Sequence, residues 1–301
     1  MTAPAATARP WPARARHWLR AVLRTARPRQ WAKNLLVFAA PLAGASLGRD
    51  DGAAYALVAA AAFGCASVAV YFVNDVADAG RDRRHPVKRH RPVAAGELLP
   101  AHALALAAAC SAAALAAGPV IGVPLLTAVI AGYLALSFLY SWVLKHIPVI
   151  EVIFVAAGFL LRVLGGAAAT HVRLSGWFLL VCSLGAIGVA TAKRYAELAG
   201  LGPAAIRHRP VMRWYRLGPL RAGQLLAAAL MTGAYLAWAA GQPGEDRSWN
   251  LLSAVPLALA LGRFAILTRS RLATPVEDLL TRDVPMLACE TAWLALFTAG
   301  L

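Results

Sequence analysis

Charge is scarce in this 301-residue sequence. Only 15% of its residues are Asp, Glu, Lys or Arg against 60% hydrophobic ones, and the mean hydropathy is +0.60. A soluble fold needs far more polar surface, so soluble two-domain readings are excluded. Cysteine is also scarce: Cys65, Cys110, Cys182 and Cys289 stand singly in apolar stretches without CxxC spacing. That argues against a zinc site or a disulfide framework and reads them as packing residues. No clear internal repeat or longer low-complexity segment stands out. No cleavable signal peptide is expected, because the Arg-rich first 33 residues lead into a full apolar span without a small-residue cleavage pattern. Acids number 14 against 30 Lys and Arg, a formal net charge of +16, and that imbalance requires an anionic partner or a membrane-sidedness explanation.

What is present is apolar runs of spanning length. Twenty-three residues between Asp51 and Asp75 carry no formal charge, enough to cross a hydrocarbon layer of about 30 Å. Forty-seven more lie between Glu97 and Lys145, broken by Gly118, Pro119, Gly122 and Pro124 into two helices and a tight turn. Further runs at 146–172, 174–192, 222–244, 248–267 and 284–301, with a first helix from about Gln30 to Leu47, predict nine spans. The fold class expected is an all-α integral membrane protein with nine transmembrane helices. Twenty-five of the thirty bases fall in the N-terminal arm and alternate connections, whereas the opposite connections hold only Arg49, Arg173 and Arg247. This asymmetry puts the N-terminus and the large loops in the cytoplasm and the C-terminus outside. Residues 1–26 read as a basic, partly disordered arm on the anionic leaflet, and residues 27–301 as one transmembrane domain.

The second span runs into Asn74-Asp75-Val-Ala-Asp78-Ala-Gly-Arg-Asp82. Three aspartates at i, i+3 and i+7 fall within roughly 60° on one helical face. Stacked carboxylates repel unless protons, cations or metal neutralise them. Mg²⁺ prefers hard oxygens and suits acids facing a diphosphate, so Asp75, Asp78 and Asp82 are the catalytic and metal-binding candidates. The bland alternative is a solvated helix end paired to Arg81, Arg83 and Arg84. A proline-broken basic loop follows, in which Lys88, Arg89 and Arg91 suit a substrate with several phosphates. Only four of the bases are lysine, and Lys33, Lys88 and Lys193 all fall in candidate segments, while Lys145 reads as an interface anchor. Arg162 lies deep in the fifth span and Glu151 near its end, too far apart to pair with each other, so each needs another partner. Glu277, Asp278, Asp283 and Glu290 are left open between a site role and a polar start to the last span.

The NDxxDxxxD string, the basic loop after it and the nine expected spans resemble the UbiA superfamily of intramembrane prenyltransferases. The resemblance covers nearly the whole chain from Arg27 onward. It implies a UbiA-like bundle, with Asn74, Asp75, Asp78 and Asp82 binding Mg²⁺ and a diphosphate. The chain departs from the pattern after span six, where Thr191-Ala-Lys193-Arg194-Tyr195-Ala-Glu197-Leu stands in place of a second acidic cluster. Such a segment suits an anionic headgroup or additional phosphate better than a second metal. With RPRQWAKN at the first helix, supplying Gln30, Lys33 and Asn34, this is similar to the decaprenyl-phosphate phosphoribosyltransferase branch of the superfamily, which acts in actinobacterial cell-wall synthesis.

That resemblance implies 5-phosphoribosyl-1-pyrophosphate as donor and a polyprenyl (decaprenyl) phosphate as acceptor, with pyrophosphate released and an arabinan precursor formed. Gln30, Lys33, Asn34, Asn74, Lys88, Arg89, Arg91, Arg162, Lys193, Arg194, Tyr195 and Glu197 are then the substrate-binding candidates. The partners are these two substrates and membrane lipid, with no nucleic acid, and a homo-oligomer is left open. One rival is an aromatic prenyltransferase using prenyl diphosphate, weakened by the missing second acidic cluster. Another is a polytopic anion transporter, disfavoured because the acids cluster at one membrane edge.

Overall fold

The computed structural model describes residues 11–301 apart from Pro86, Glu245, Ala273 and Pro275; for residues 11–14, 207, 208 and 277 it describes the backbone alone. Its longest element is helix α3, Gly52–Asp82, of 31 residues. At 1.5 Å per residue it extends about 46 Å, well beyond a hydrocarbon layer of about 30 Å, so its last turns project past the apolar zone and carry the aspartates with them. Before it lie α1 (Trp11–Ala26), a 3₁₀ helix (Pro28–Phe38) and the short α2 (Ala39–Ala43). After it come α4 (Pro100–Val120), α5 (Pro124–Trp142), α6 (Ile150–Ala169), α7 (Gly176–Leu201) and α8 (Ala204–His208). The chain closes with α9 (Leu217–Ala240), α10 (Asp246–Ser270), α11 (Val276–Arg282) and α12 (Val284–Ala299). The α4–α5 turn falls at Gly122, whose φ of 71° suits a residue without a Cβ.

Seven helices, α3 to α7, α9 and α10, are long and apolar enough to cross a membrane, so among the described residues the expected nine are not reached. Two expected spans account for the difference. The stretch from about Gln30 to Leu47 is no continuous α-helix: it winds as 3₁₀ to Phe38, then makes one short α-helix, Ala39–Ala43, that ends at Gly44. The last, α12, has only 16 residues, since Asp283 caps its start and it ends at Gly300. Of the N-terminal arm, residues 11–26 are described. Its first ten residues lie outside the described ones, and the rest forms α1, which packs on α3 through Ala21, Thr25 and Ala26.

The main core gathers α3, α4 and α5 around Phe63, Phe72, Leu126, Ile130 and Tyr133. Helices α7 and α9, and α10 and α12, pair along their lengths, while α6 bridges the two groups by touching α5, α7 and the 3₁₀ helix. Small residues make these approaches possible. A Cβ on Gly166 would stand 1.8 Å from the carbonyl oxygen of Val37, and one on Gly165 would stand 2.2 Å from the Phe63 ring. The 3₁₀ helix can therefore lie directly on α6.

Candidate active site

The projecting end of α3 meets four other segments at one end of the bundle: the α1–3₁₀ junction, the basic loop after α3, the α5–α6 connection and the end of α7 with its following loop. The three aspartates share a face, as their spacing requires, and each is met by cations from elsewhere. Asp75, buried, pairs with Arg27 and lies 3.4 Å from Arg91 Nη1. The same Arg91 nitrogen is 2.8 Å from Asp82 Oδ2. Asp78 pairs with Arg81 at 2.5 Å and with Lys145 at 2.9 Å. A cationic nitrogen thus stands between two carboxylates two turns apart.

Two cavities flank this stripe. The larger, about 620 Å³, is lined by Asp78, Asp82, Lys88, Lys145, Glu197 and Arg209 among others. The smaller, about 450 Å³, is lined by Arg24, Arg27, Asp75, His85, Lys88 and Arg91 among others. Lys88 lines both. Burial and, next, the neighbouring Arg91 charge push its pKa below the ordinary lysine value, which primes it to gain from an arriving anion.

Opposite the aspartates lies a second charge cluster. Glu151, at the start of α6 and fully buried, is 2.7 Å from Arg209 Nη1. Arg194 Nε stands 2.6 Å from its other oxygen, close enough for an ion pair but without the alignment of a hydrogen bond. Arg194 also holds Glu197 at 2.8 Å, and Arg209 approaches Glu197 at 3.6 Å. Two glutamates and two arginines close on each other. Within this segment Glu197 is held by the i,i+3 pair from Arg194.

Several candidates fall elsewhere. Arg162 is a strut: Nε donates to Asn34 Oδ1 at 2.9 Å, Nη2 to Ser67 Oγ and Tyr133 Oη at 2.9 Å, and Nη1 to the Gly158 carbonyl at 2.7 Å. These neutral partners tie the 3₁₀ helix, α3, α5 and α6 together. Asn34 is therefore in the bundle interior and not at the charged end. Gln30 and Lys33 meet at 3.4 Å, as i and i+3 do in a 3₁₀ helix. Arg89 is exposed and donates to His90; Tyr195 faces Arg221 on α9; neither they nor Lys193, Asn74, Gln30 and Lys33 line the two cavities. Asp283 caps α12 and pairs with Arg263 at 3.0 Å, and Asp278 is 3.7 Å from Arg282, so both belong to the polar turn before the last helix. Glu290 lines neither cavity, and the Glu277 side chain is outside the described residues.

Arg24, Arg27, Lys145 and Arg209 were missed as site residues. For Arg209 a signal existed: the pentapeptide Arg-His-Arg-Pro-Val occurs at 89–93 and again at 207–211, after α3 and after α7. Its second arginine is Arg91 in one copy and Arg209 in the other.

Among the described residues, no three His, Cys, Asp or Glu side chains converge as a ready-made metal cage. The donors nevertheless fit Mg²⁺, which binds through one or two carboxylates together with waters and substrate phosphates. Asp75 and Asp82 share a cation already, in the form of the Arg91 nitrogen.

The profile of the UbiA prenyltransferase family matches residues 34–280. The chain belongs to the UbiA prenyltransferase family. As a UbiA family member it is an enzyme of transferase type, built as an all-α, multi-pass membrane bundle. The chain is 36% identical to the decaprenyl-phosphate phosphoribosyltransferase of Mycobacterium tuberculosis over 93% of its own length and 94% of that protein. The enzyme of that name from Mycolicibacterium smegmatis is 33% identical over 93% and 92%. Among solved structures, a UbiA homolog from Archaeoglobus fulgidus bound to GPP and Mg²⁺ superposes with a TM-score of 0.73 at 16% identity, covering 93% of this chain and 99% of that one.

Proposed function

We propose that this UbiA family member transfers the 5-phosphoribosyl group of 5-phosphoribosyl-1-pyrophosphate to a polyprenyl phosphate, releasing pyrophosphate and forming a cell-wall arabinan precursor. The observation that carries this reading is the identity to the mycobacterial phosphoribosyltransferases across nearly the full length of both chains. The closed Glu151–Arg194–Glu197–Arg209 network supports it, because an aromatic prenyltransferase would call for acids free to hold a second metal there.

Mg²⁺ is the cofactor, held by Asp75, Asp78 and Asp82, and when bound it supplies neutralising charge to the leaving pyrophosphate. The chain's own groups do the rest. Lys88 and Lys145 face the larger cavity and orient the donor's phosphates, with Arg91 adjacent at the stripe. The C1–O bond to pyrophosphate breaks as a phosphate oxygen of the lipid bonds to C1 from the opposite face, inverting that centre. The acceptor oxygen is already anionic near neutral pH, so no general base is needed. Positioning two polyanions is most of the catalysis. The charged end lies in the cytoplasm with the N-terminus, the C-terminus lies outside, and residues 27–301 act as one transmembrane domain.

The test is incubation of purified protein with labelled donor, Mg²⁺ and polyprenyl phosphate. Ribose 5-phosphate recovered on the lipid, lost with a chelator and restored by Mg²⁺, is the expected result. Consumption of prenyl diphosphate with an aromatic acceptor, or vesicle uptake of an anion without covalent product, would overturn it.

A further inference from the structure

The two cavities differ in chemistry. The larger sets Arg81, Arg84, Lys88, Lys145 and Arg209 against three carboxylates, Asp78, Asp82 and Glu197. That mixture suits a diphosphate arriving with a divalent cation. The smaller sets Arg24, Arg27, Lys88 and Arg91 against Asp75 alone, and Asp75 is already engaged by two of those arginines. That excess of cation over carboxylate suits an anion of the size and charge of a phosphate monoester.

The position of the smaller cavity identifies the source of that phosphate. It is lined by Arg24 near the end of α1, whose exposed surface carries Trp18, Leu19 and Leu23 together with Arg16, Arg20 and Arg24, the composition of a helix lying in the lipid headgroup layer. Arg24 reaches from α1 to the basic loop, 2.7 Å from Glu97 and 2.5 Å from the His90 carbonyl, and lines the cavity between them. Arg27 is held in the left-handed region at φ 51°, a conformation that costs an ordinary residue energy and recurs at ligand sites, and its side chain turns back onto Asp75.

We propose that this cavity is the acceptor subsite, where Arg24 and Arg27 clamp the lipid's phosphate on the opposite side of Lys88 from the donor. The assignment rests on the acceptor being a lipid phosphate, as argued above. Two bound anions on either side of one lysine also give the approach from opposite faces that inversion requires.

Binding without turnover tests it. Farnesyl phosphate is titrated calorimetrically into the full-length protein in detergent micelles, with inorganic phosphate and 5-phosphoribosyl-1-pyrophosphate in separate titrations. Arg24→Gln is expected to weaken farnesyl phosphate about tenfold or more while leaving the donor within about twofold. Glu97→Gln breaks the same ion pair but keeps the cavity's cation, so it leaves farnesyl phosphate binding undiminished. Equal losses in both variants would reduce Arg24 to a structural tie and overturn the subsite. So would a loss confined to the donor. Inorganic phosphate binding as tightly as farnesyl phosphate would overturn the lipid assignment in favour of a free anion. Because no product is measured, absence of phosphoribosyl transfer in the separate assay would sink the proposed activity without altering this result.

Discussion

Arg89–Val93 and Arg207–Val211 carry one pentapeptide, and the two copies are used alike up to a point. In each, the second arginine precedes a proline and is held extended, at φ −67° and ψ 139° for Arg91 and φ −145° and ψ 100° for Arg209. In each, the following valine is buried, at 1% and 2% exposure, and pins the loop to the bundle. The arginine side chains are equally accessible, 29% and 28%, and each touches two carboxylates. The difference lies in those carboxylates. Arg91 meets two aspartates of a single helix, which can exchange it for another cation. Arg209 meets glutamates from α6 and α7 that Arg194 already holds, so the second copy closes a lock. On the proposed function, identical local chemistry serves as a substrate arm in one copy and a structural clasp in the other, according to what the neighbouring helices offer.

The largest effect that would test this contrast is at the open copy. Asp75→Asn or Asp78→Asn is expected to lower phosphoribosyl transfer by about 10³-fold or more, while the protein still inserts and folds; turnover and a thermal melt in detergent check both halves. At the closed copy the readout is reversed. Glu151→Gln leaves two arginines short of a buried charge partner and is expected to cost about 3–5 kcal/mol of stability, seen as a lowered Tm. Next in size is a matched pair. Arg91→Lys should raise the donor KM about tenfold with little change in Tm, whereas Arg209→Lys should lower Tm more than it raises KM. Equal behaviour of the two lysine variants would erase the distinction.

The smallest expected effect concerns pH. Because the Lys88 pKa is depressed, its charge is lost on raising the pH at a value below the ordinary lysine range, and donor affinity should fall there. Lys88→Arg keeps its proton and should move that alkaline limb upward, as measured by KM against pH.

The aspartate stripe was legible because an uninterrupted apolar run delivers it to a membrane edge, where acids are rare and a 3.6-residue period puts them on one face. Lys88 and Arg91 were legible for the same reason, as bases in a proline-broken loop immediately after it. Lys145 was not, since it meets Asp78 across 67 intervening positions and reads alone as an interface anchor. Asn34 misled because its neighbours Gln30 and Lys33 share a polar motif with it, whereas the 3₁₀ winding turns Asn34 inward to Arg162, 128 positions away. Arg162 read as an intramembrane ion awaiting a substrate, and its neutral partners come from three other elements.

Composition and periodicity alone determined that the chain is helical, lies in a bilayer and carries its acids at one edge, because hydrophobicity and helical pitch are local properties of a sequence. Which arginine meets which carboxylate was decided only by tertiary structure. Ion pairing depends on distances of a few ångströms between side chains that the chain itself holds tens of residues apart.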